Sequence, residues 1–118
     1  MMFECPKTLR CENCHEHFQM LRPQITSVLL SNHFKRDFPD FDINLILSCE
    51  HEHFTRLHKF EEKIDKAYIF RAVYNEKHIV YAIADKKLIF LRSFANFKEY
   101  GKFLSDKKKI KELIESVK

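Results

Sequence analysis

The 118-residue chain contains a single glycine, three prolines and no tryptophan. One glycine excludes the glycine-rich loops that cradle phosphate, because such loops need several positions without a Cβ to bring the backbone against the ligand. No apolar run approaches the roughly 20 residues needed to span a bilayer. The opening residues MMFECPKTLR lack the basic-then-apolar layout of a secretory signal. The expectation is a cytoplasmic protein with no membrane partner. In that compartment Cys5, Cys11, Cys14 and Cys49 stay reduced, so a disulfide framework is not expected.

What is present is enough apolar material for one core. Apolar residues make up 45% of the chain, twelve of them Phe, which fits a single packed domain over residues 1–118 rather than disorder or two domains. The net charge of +4 is unevenly placed: residues 1–60 sum to −1 and residues 61–118 to +5. The second half is therefore the half suited to RNA, DNA or an acidic protein. A lysine-rich solvated surface is the alternative.

The second half also carries the clearest structural pattern. Residues 67–74, 78–84 and 88–94 are short runs rich in β-branched and aromatic residues, separated by the polar triplets 75–77 and 85–87. This is the signature of an antiparallel meander, spanning about residues 68–94. Before it, helices are expected from about residue 8 to 21 and from residue 23 to about 34, with Pro23 suited to a first turn. Residues 35–42 read as an irregular loop, 43–48 as a strand or a helix start, and 49–65 as a short helix or loop. After the meander, Asn96 caps a helical segment, and Ser105 or Asp106 a last helix. Ile110, Leu113, Ile114 and Val117 form the stripe of that last helix. The expected fold is α+β: two N-terminal helices packed on an antiparallel sheet, closed by a C-terminal helix.

Two groups of chemistry-bearing residues follow. Cys11, Cys14, Cys49 and His51 are thiolate and imidazole ligands of the kind zinc prefers, in two separated groups. If a zinc ion is held, those four are the candidates, with His15 or His53 as replacements for His51. Cys11 and Cys14 also share a helical face with Phe18 and Leu21, and free Cys is a commonly buried residue. No cofactor is required by either reading.

The other group interrupts the apolar strands: Arg71, His78 and Arg92. Side chains alternate along a strand, so whether the two arginines share a face depends on the hairpin loops. Loops of the same parity send them to opposite faces. A three-residue loop at 75–77 with a two-residue loop at 86–87 brings them together near Tyr81. A convergent set of Arg71, Arg92 and Tyr81, with Lys98 and Tyr100 just beyond, suits RNA, because guanidinium groups clamp phosphate and rings stack on exposed bases. His58 and His78 have the side chain whose ordinary pKa allows proton transfer near neutrality. The alternative is that the arginines pair with carboxylates while Tyr74, Tyr81 and Tyr100 pack.

The residues LHKF at 57–60, YIFR at 68–71, HIVYAIAD at 78–85 and the apolar strand 88–94 together resemble the RelE/ParE toxin superfamily. The likeness covers about residues 55–104. It implies a small toxin that enters the ribosomal A site and cuts mRNA, acting on the ribosome and message and held inactive by a cognate antitoxin. Another branch of the superfamily poisons DNA gyrase. By the resemblance, Arg71 matches a first-strand Arg, His78 stands where the family often has a second-strand Arg, and Arg92, Lys98 and Tyr100 fall in the region supplying C-terminal catalytic groups. The implied catalytic set is Arg71, His78, Arg92 and Tyr100, with His58, Tyr81 and Lys98 binding RNA.

Overall fold

The structure is a computed structural model describing residues 20–39, 56–74 and 76–117. Within these residues five strands form one sheet: β1 (Ser27–Leu30), β2 (Arg56–Ile64), β3 (Ala67–Tyr74), β4 (Lys77–Ala84) and β5 (Lys87–Phe94). Three helices accompany them: α1 (Asn32–Asp37), α2 (Phe97–Ser105) and α3 (Lys107–Val117). The fold is α+β. The strand order is β1-β5-β4-β3-β2. β2 to β5 form an antiparallel meander, and β1 adds in parallel along the free edge of β5, with Ser27 opposite Lys87 and Leu30 opposite Phe90.

The sheet is thus mixed rather than purely antiparallel, and three expectations change. The helix expected over 23–34 is instead a 3₁₀ turn at Arg22–Gln24, strand β1 and the start of α1. Thr26, Ser27 and Val28 are poor helix formers, and β5 offers an edge for them to pair with. The switch to helix comes at Ser31, which is 2% exposed. Its hydroxyl accepts the N–H of Phe34 at 3.1 Å as an N-cap and donates to the Leu91 carbonyl, while its own N–H donates to the Phe90 carbonyl at 2.9 Å. Residues 35–37, expected as irregular loop, complete α1. Residues 56–64, expected as helix or loop, are a nine-residue strand. Its charged side chains had hidden it, and they belong there because among the described residues it is an edge strand, where charge discourages pairing with another chain. Of the helix expected over 8–21, only Met20 and Leu21 are described, and both are helical. Residues 40–55 lie outside the described residues.

Both faces of the sheet are apolar. On one, Phe60, Phe70, Tyr81 and Phe90 form an aromatic row across four strands, with ring centroids 5.7, 6.1 and 5.6 Å apart in turn. Phe34 of α1 continues it, 5.0 Å from Phe90. On the other, Ile69, Val80, Ala82, Ile89 and Leu91 receive Tyr100 and Phe103 of α2 and Ile110 and Ile114 of α3. Asn96 caps α2 as expected, accepting from the N–H groups of Lys98 at 2.7 Å and Glu99 at 3.2 Å. Asp106 accepts from the Lys109 N–H at 3.1 Å and so caps α3.

The scarcity of glycine shows in the hairpins. All three connections are two residues long, since Ile64 pairs with Ala67, Tyr74 with Lys77 and Ala84 with Lys87. Such turns call for left-handed backbone, and it is supplied by Asp65 (φ 53°), Glu76 (φ 62°), Asp85 (φ 51°) and Lys86 (φ 62°). The Lys86 carbonyl accepts from the N–H of Thr26 at 2.7 Å, so the last turn also anchors the start of β1.

Two stability changes are expected. Lys86→Gly should raise the unfolding free energy by about 1 kcal/mol, because a side chain with a Cβ is strained in left-handed backbone. Ser31→Ala should lower it by about 2 kcal/mol, through loss of the cap and of the bond to the Leu91 carbonyl. Urea unfolding of both variants checks the signs, and a neutral Ser31→Ala would show that the cap contributes nothing.

Candidate functional site

The two hairpins flanking β4 have loops of the same length, a parity that sends Arg71 and Arg92 to opposite faces. They nevertheless share one. In the β4–β5 ladder Tyr81 pairs with Phe90 but Val80 pairs with Arg92, leaving Leu91 as an extra residue. This β-bulge shifts the register by one and turns Arg92 away from the aromatic face. Arg71 also pairs with Val80, from the other side. The two arginines therefore flank one valine, with Cα atoms about 10 Å apart, two strand spacings.

A second bulge does the same for an acid. In the β2–β3 ladder Phe60 pairs with Phe70 and Glu62 with Ile69, so Glu61 is the extra residue. In unbroken register Glu61 would sit opposite Phe70 on the aromatic face. The bulge delivers it to Arg71, with Glu61 Oε1 3.5 Å from Arg71 Nε and the two side chains 18% and 7% exposed.

Around this pair α2 lays its first turn. The Arg71 guanidinium carbon lies 4.9 Å from the centre of the Tyr100 ring and 5.7 Å from that of Phe97. His78 stacks on Tyr100 at 5.2 Å and meets Phe97 edge-on at 5.4 Å. Phe94, directly opposite His78 in the ladder, joins Tyr100 at 6.3 Å and carries the Arg92 guanidinium over its ring at 5.3 Å. The result is a continuous cation–aromatic cluster running from Glu61 through Arg71, Tyr100 and Phe94 to Arg92. Each cation–ring contact contributes on the order of 1 kcal/mol.

Five buried polar atoms in this cluster lack a hydrogen-bond partner: Glu61 Oε1, Arg71 Nε, His78 Nδ1, Arg92 Nε and the Tyr100 hydroxyl. Glu61 Oε1 and Arg71 Nε face each other across the 3.5 Å ion pair, and the Glu61 carboxylate also acts on the Tyr100 hydroxyl, so these atoms are charge-paired although none makes a hydrogen bond of good geometry. The electrostatics have definite directions. Burial pushes Tyr100 far above its ordinary value of 10, reinforced by the Glu61 carboxylate, so the phenol keeps its proton and remains able to donate a hydrogen bond. Burial, then the Arg71 charge, holds His78 below 6.5, so its imidazole is neutral at pH 7 and free to accept a proton.

The structure thus brings together Arg71, His78, Arg92 and Tyr100, with exposed Lys98 at the start of α2 beside them. Tyr81 is not among them. It points to the opposite face, fully buried between Phe70 and Phe90, and so cannot stack on a base. His58 lies on β2, its side chain outside the described residues. Cys11, Cys14, Cys49 and His51 lie outside them altogether, and among the described residues no group of three His, Cys, Asp or Glu could hold a metal ion. Among those residues, too, no helix is long and apolar enough to cross a membrane. A cavity of about 230 Å³ lined by Ile64, Ala67, Ala84, Lys111 and Ile114 lies at the other end of the sheet and includes none of the candidate residues.

Sequence reasoning missed Glu61 and Phe97. No periodic signal marks Glu61, because a bulge breaks the period that would have located it. Phe97 falls in the helical segment expected after the meander, with no role assigned to it there; it opens α2 and is 64% exposed. Compared with models of known families, with characterised proteins and with solved structures, the chain finds no match.

The His78 shift gives a pH test. The unfolded imidazole binds its proton near 6.5 and the folded one only at lower pH, so stability should fall as the pH drops below the unfolded value and towards the native one. Thermal unfolding midpoints measured at about pH 7.5 and about pH 5.5 should therefore differ, and the difference should shrink in His78→Gln. An unchanged difference would assign the acid sensitivity elsewhere, such as to His33, which burial and Arg92 also hold low.

Proposed function

We propose that the chain is a RelE-like toxin of a toxin–antitoxin pair, acting as a ribosome-dependent mRNA endonuclease. The observation that supports this reading is the gathering of Arg71, Arg92, His78 and Tyr100 into one cluster, to which the β4–β5 bulge brings Arg92. RNA cleavage by the 2′-hydroxyl needs a proton acceptor, positive charge against the phosphorane and a hydrogen-bond donor to its oxygens. Neutral His78 takes the 2′-hydroxyl proton. The 2′-oxygen bonds to phosphorus, the bond to the 5′-oxygen breaks, and that oxygen takes a proton from solvent. Arg92, half-buried, and Lys98, exposed, meet the phosphate. Arg71 contributes its charge from behind, and buried Tyr100 holds that guanidinium and the His78 ring in place. The partners are the ribosome with its message and a cognate antitoxin.

The enclosure of Arg71 favours a second reading, a non-catalytic nucleic-acid-binding module with the same fold. A guanidinium 6% exposed and paired with Glu61 contributes to the fold whether or not RNA is bound.

The test adds purified protein to a cell-free translation reaction and maps new mRNA ends, with and without ribosomes. Cuts leaving 5′-hydroxyl ends on translated message alone are expected, and His78→Gln should reduce them by about 10²-fold or more. Arg92→Gln should weaken cutting without unfolding the chain. Arg71 is the wrong first target, since removing it strands Glu61 and costs about 3–5 kcal/mol if the pair behaves as fully buried. Intact message with folded protein would leave the binding module standing.

A further inference from the structure

We propose that Phe97 is a stacking platform for one nucleobase of a single-stranded RNA, an inference that rests on the RNA-cleaving reading and assigns it a subsite. Phe97 is 64% exposed, one of two large apolar side chains so exposed among the described residues. It is nonetheless held in place. The Asn96 cap fixes its backbone at the first position of α2, and its ring is braced by His78 at 5.4 Å, Tyr100 at 5.5 Å and the Arg71 guanidinium at 5.7 Å.

The surroundings select the occupant. A docking helix or a second copy of the chain would need a contiguous apolar patch, but among the described residues the exposed ones next to Phe97 in sequence are Ala95, Asn96, Lys98, Glu99 and Gly101. A nucleobase needs only one fixed aromatic face with positive charge nearby for the attached phosphate. That charge is present in exposed Lys98, the next residue along α2, and in Arg71, whose guanidinium carbon lies 5.7 Å from the ring centre, although that side chain is buried and ion-paired with Glu61. Because His78 touches the edge of the same ring, a base stacked on Phe97 places its own ribose next to the proton acceptor. The stacked nucleotide is therefore one of the two flanking the scissile bond.

The chain has no tryptophan, so Phe97→Trp introduces the only indole, at the platform itself. A short labelled oligoribonucleotide and a matched abasic oligomer are titrated into the full chain, with fluorescence and anisotropy recorded. The wild type should bind the base-bearing oligomer about tenfold more tightly, as expected for one stacked base. The indole of Phe97→Trp should be quenched by that oligomer alone. Phe97→Leu keeps the apolar bulk without the aromatic face and should lose the preference while keeping the wild-type thermal midpoint. Equal binding of the two oligomers, binding of neither, or a preference retained in Phe97→Leu overturns the platform. Base preference lost in Phe97→Leu, with message left intact in the translation assay, upholds the platform and removes the nuclease. Cut message with no base preference does the reverse.

Discussion

The ion pair between Arg71 and Glu61 is the interaction around which the rest of the sheet is arranged. A sheet apolar on both faces has few positions where a charge can sit, and a charge left alone there would cost several kcal/mol. Strict alternation would have placed both Glu61 and Arg92 against the aromatic row. Two bulges, one in each flanking ladder, move them to the face covered by α2 and α3. Without that register change Arg71 would have no acid beside it, and the row from Phe60 to Phe90 would have to admit a carboxylate and a guanidinium.

Once the pair is in place, much of the C-terminal architecture follows. The buried guanidinium gives the Tyr100 ring a cation to lie on, which seats the first turn of α2. Tyr100 in turn supplies the surface against which His78 stacks. The same packing that excludes water keeps the phenol protonated and the imidazole neutral, so fold and proton chemistry have one cause. Phe97 is the part of this packing that reaches solvent.

Part of this was legible in the chain itself. Arg71, His78 and Arg92 stood out because each interrupts an apolar strand, and Tyr100 because it lies just after the last strand. The meander, the Asn96 cap and the Ile110–Ile114 face of α3 are local patterns, set by residues close in sequence. Others were not legible. β1 is helix-compatible by spacing and became a strand because β5 had an unpaired edge sixty residues away. β2 is polar by composition and is a strand because it lies at the sheet's rim. Tyr81 looked like a partner for the arginines, and the register turned it to the other face.

The sequence alone determined that a strand-rich half would carry cations among its apolar residues, because alternation and turn chemistry act over a few residues. Only the tertiary structure decided which of those cations meet. Loop parity placed Arg71 and Arg92 on opposite faces, and a single unpaired residue, Leu91, reversed that result. A bulge has no sequence period of its own. It arises where the cost of burying a charge against aromatic rings exceeds the cost of breaking one ladder, and that comparison exists only once the strands are packed.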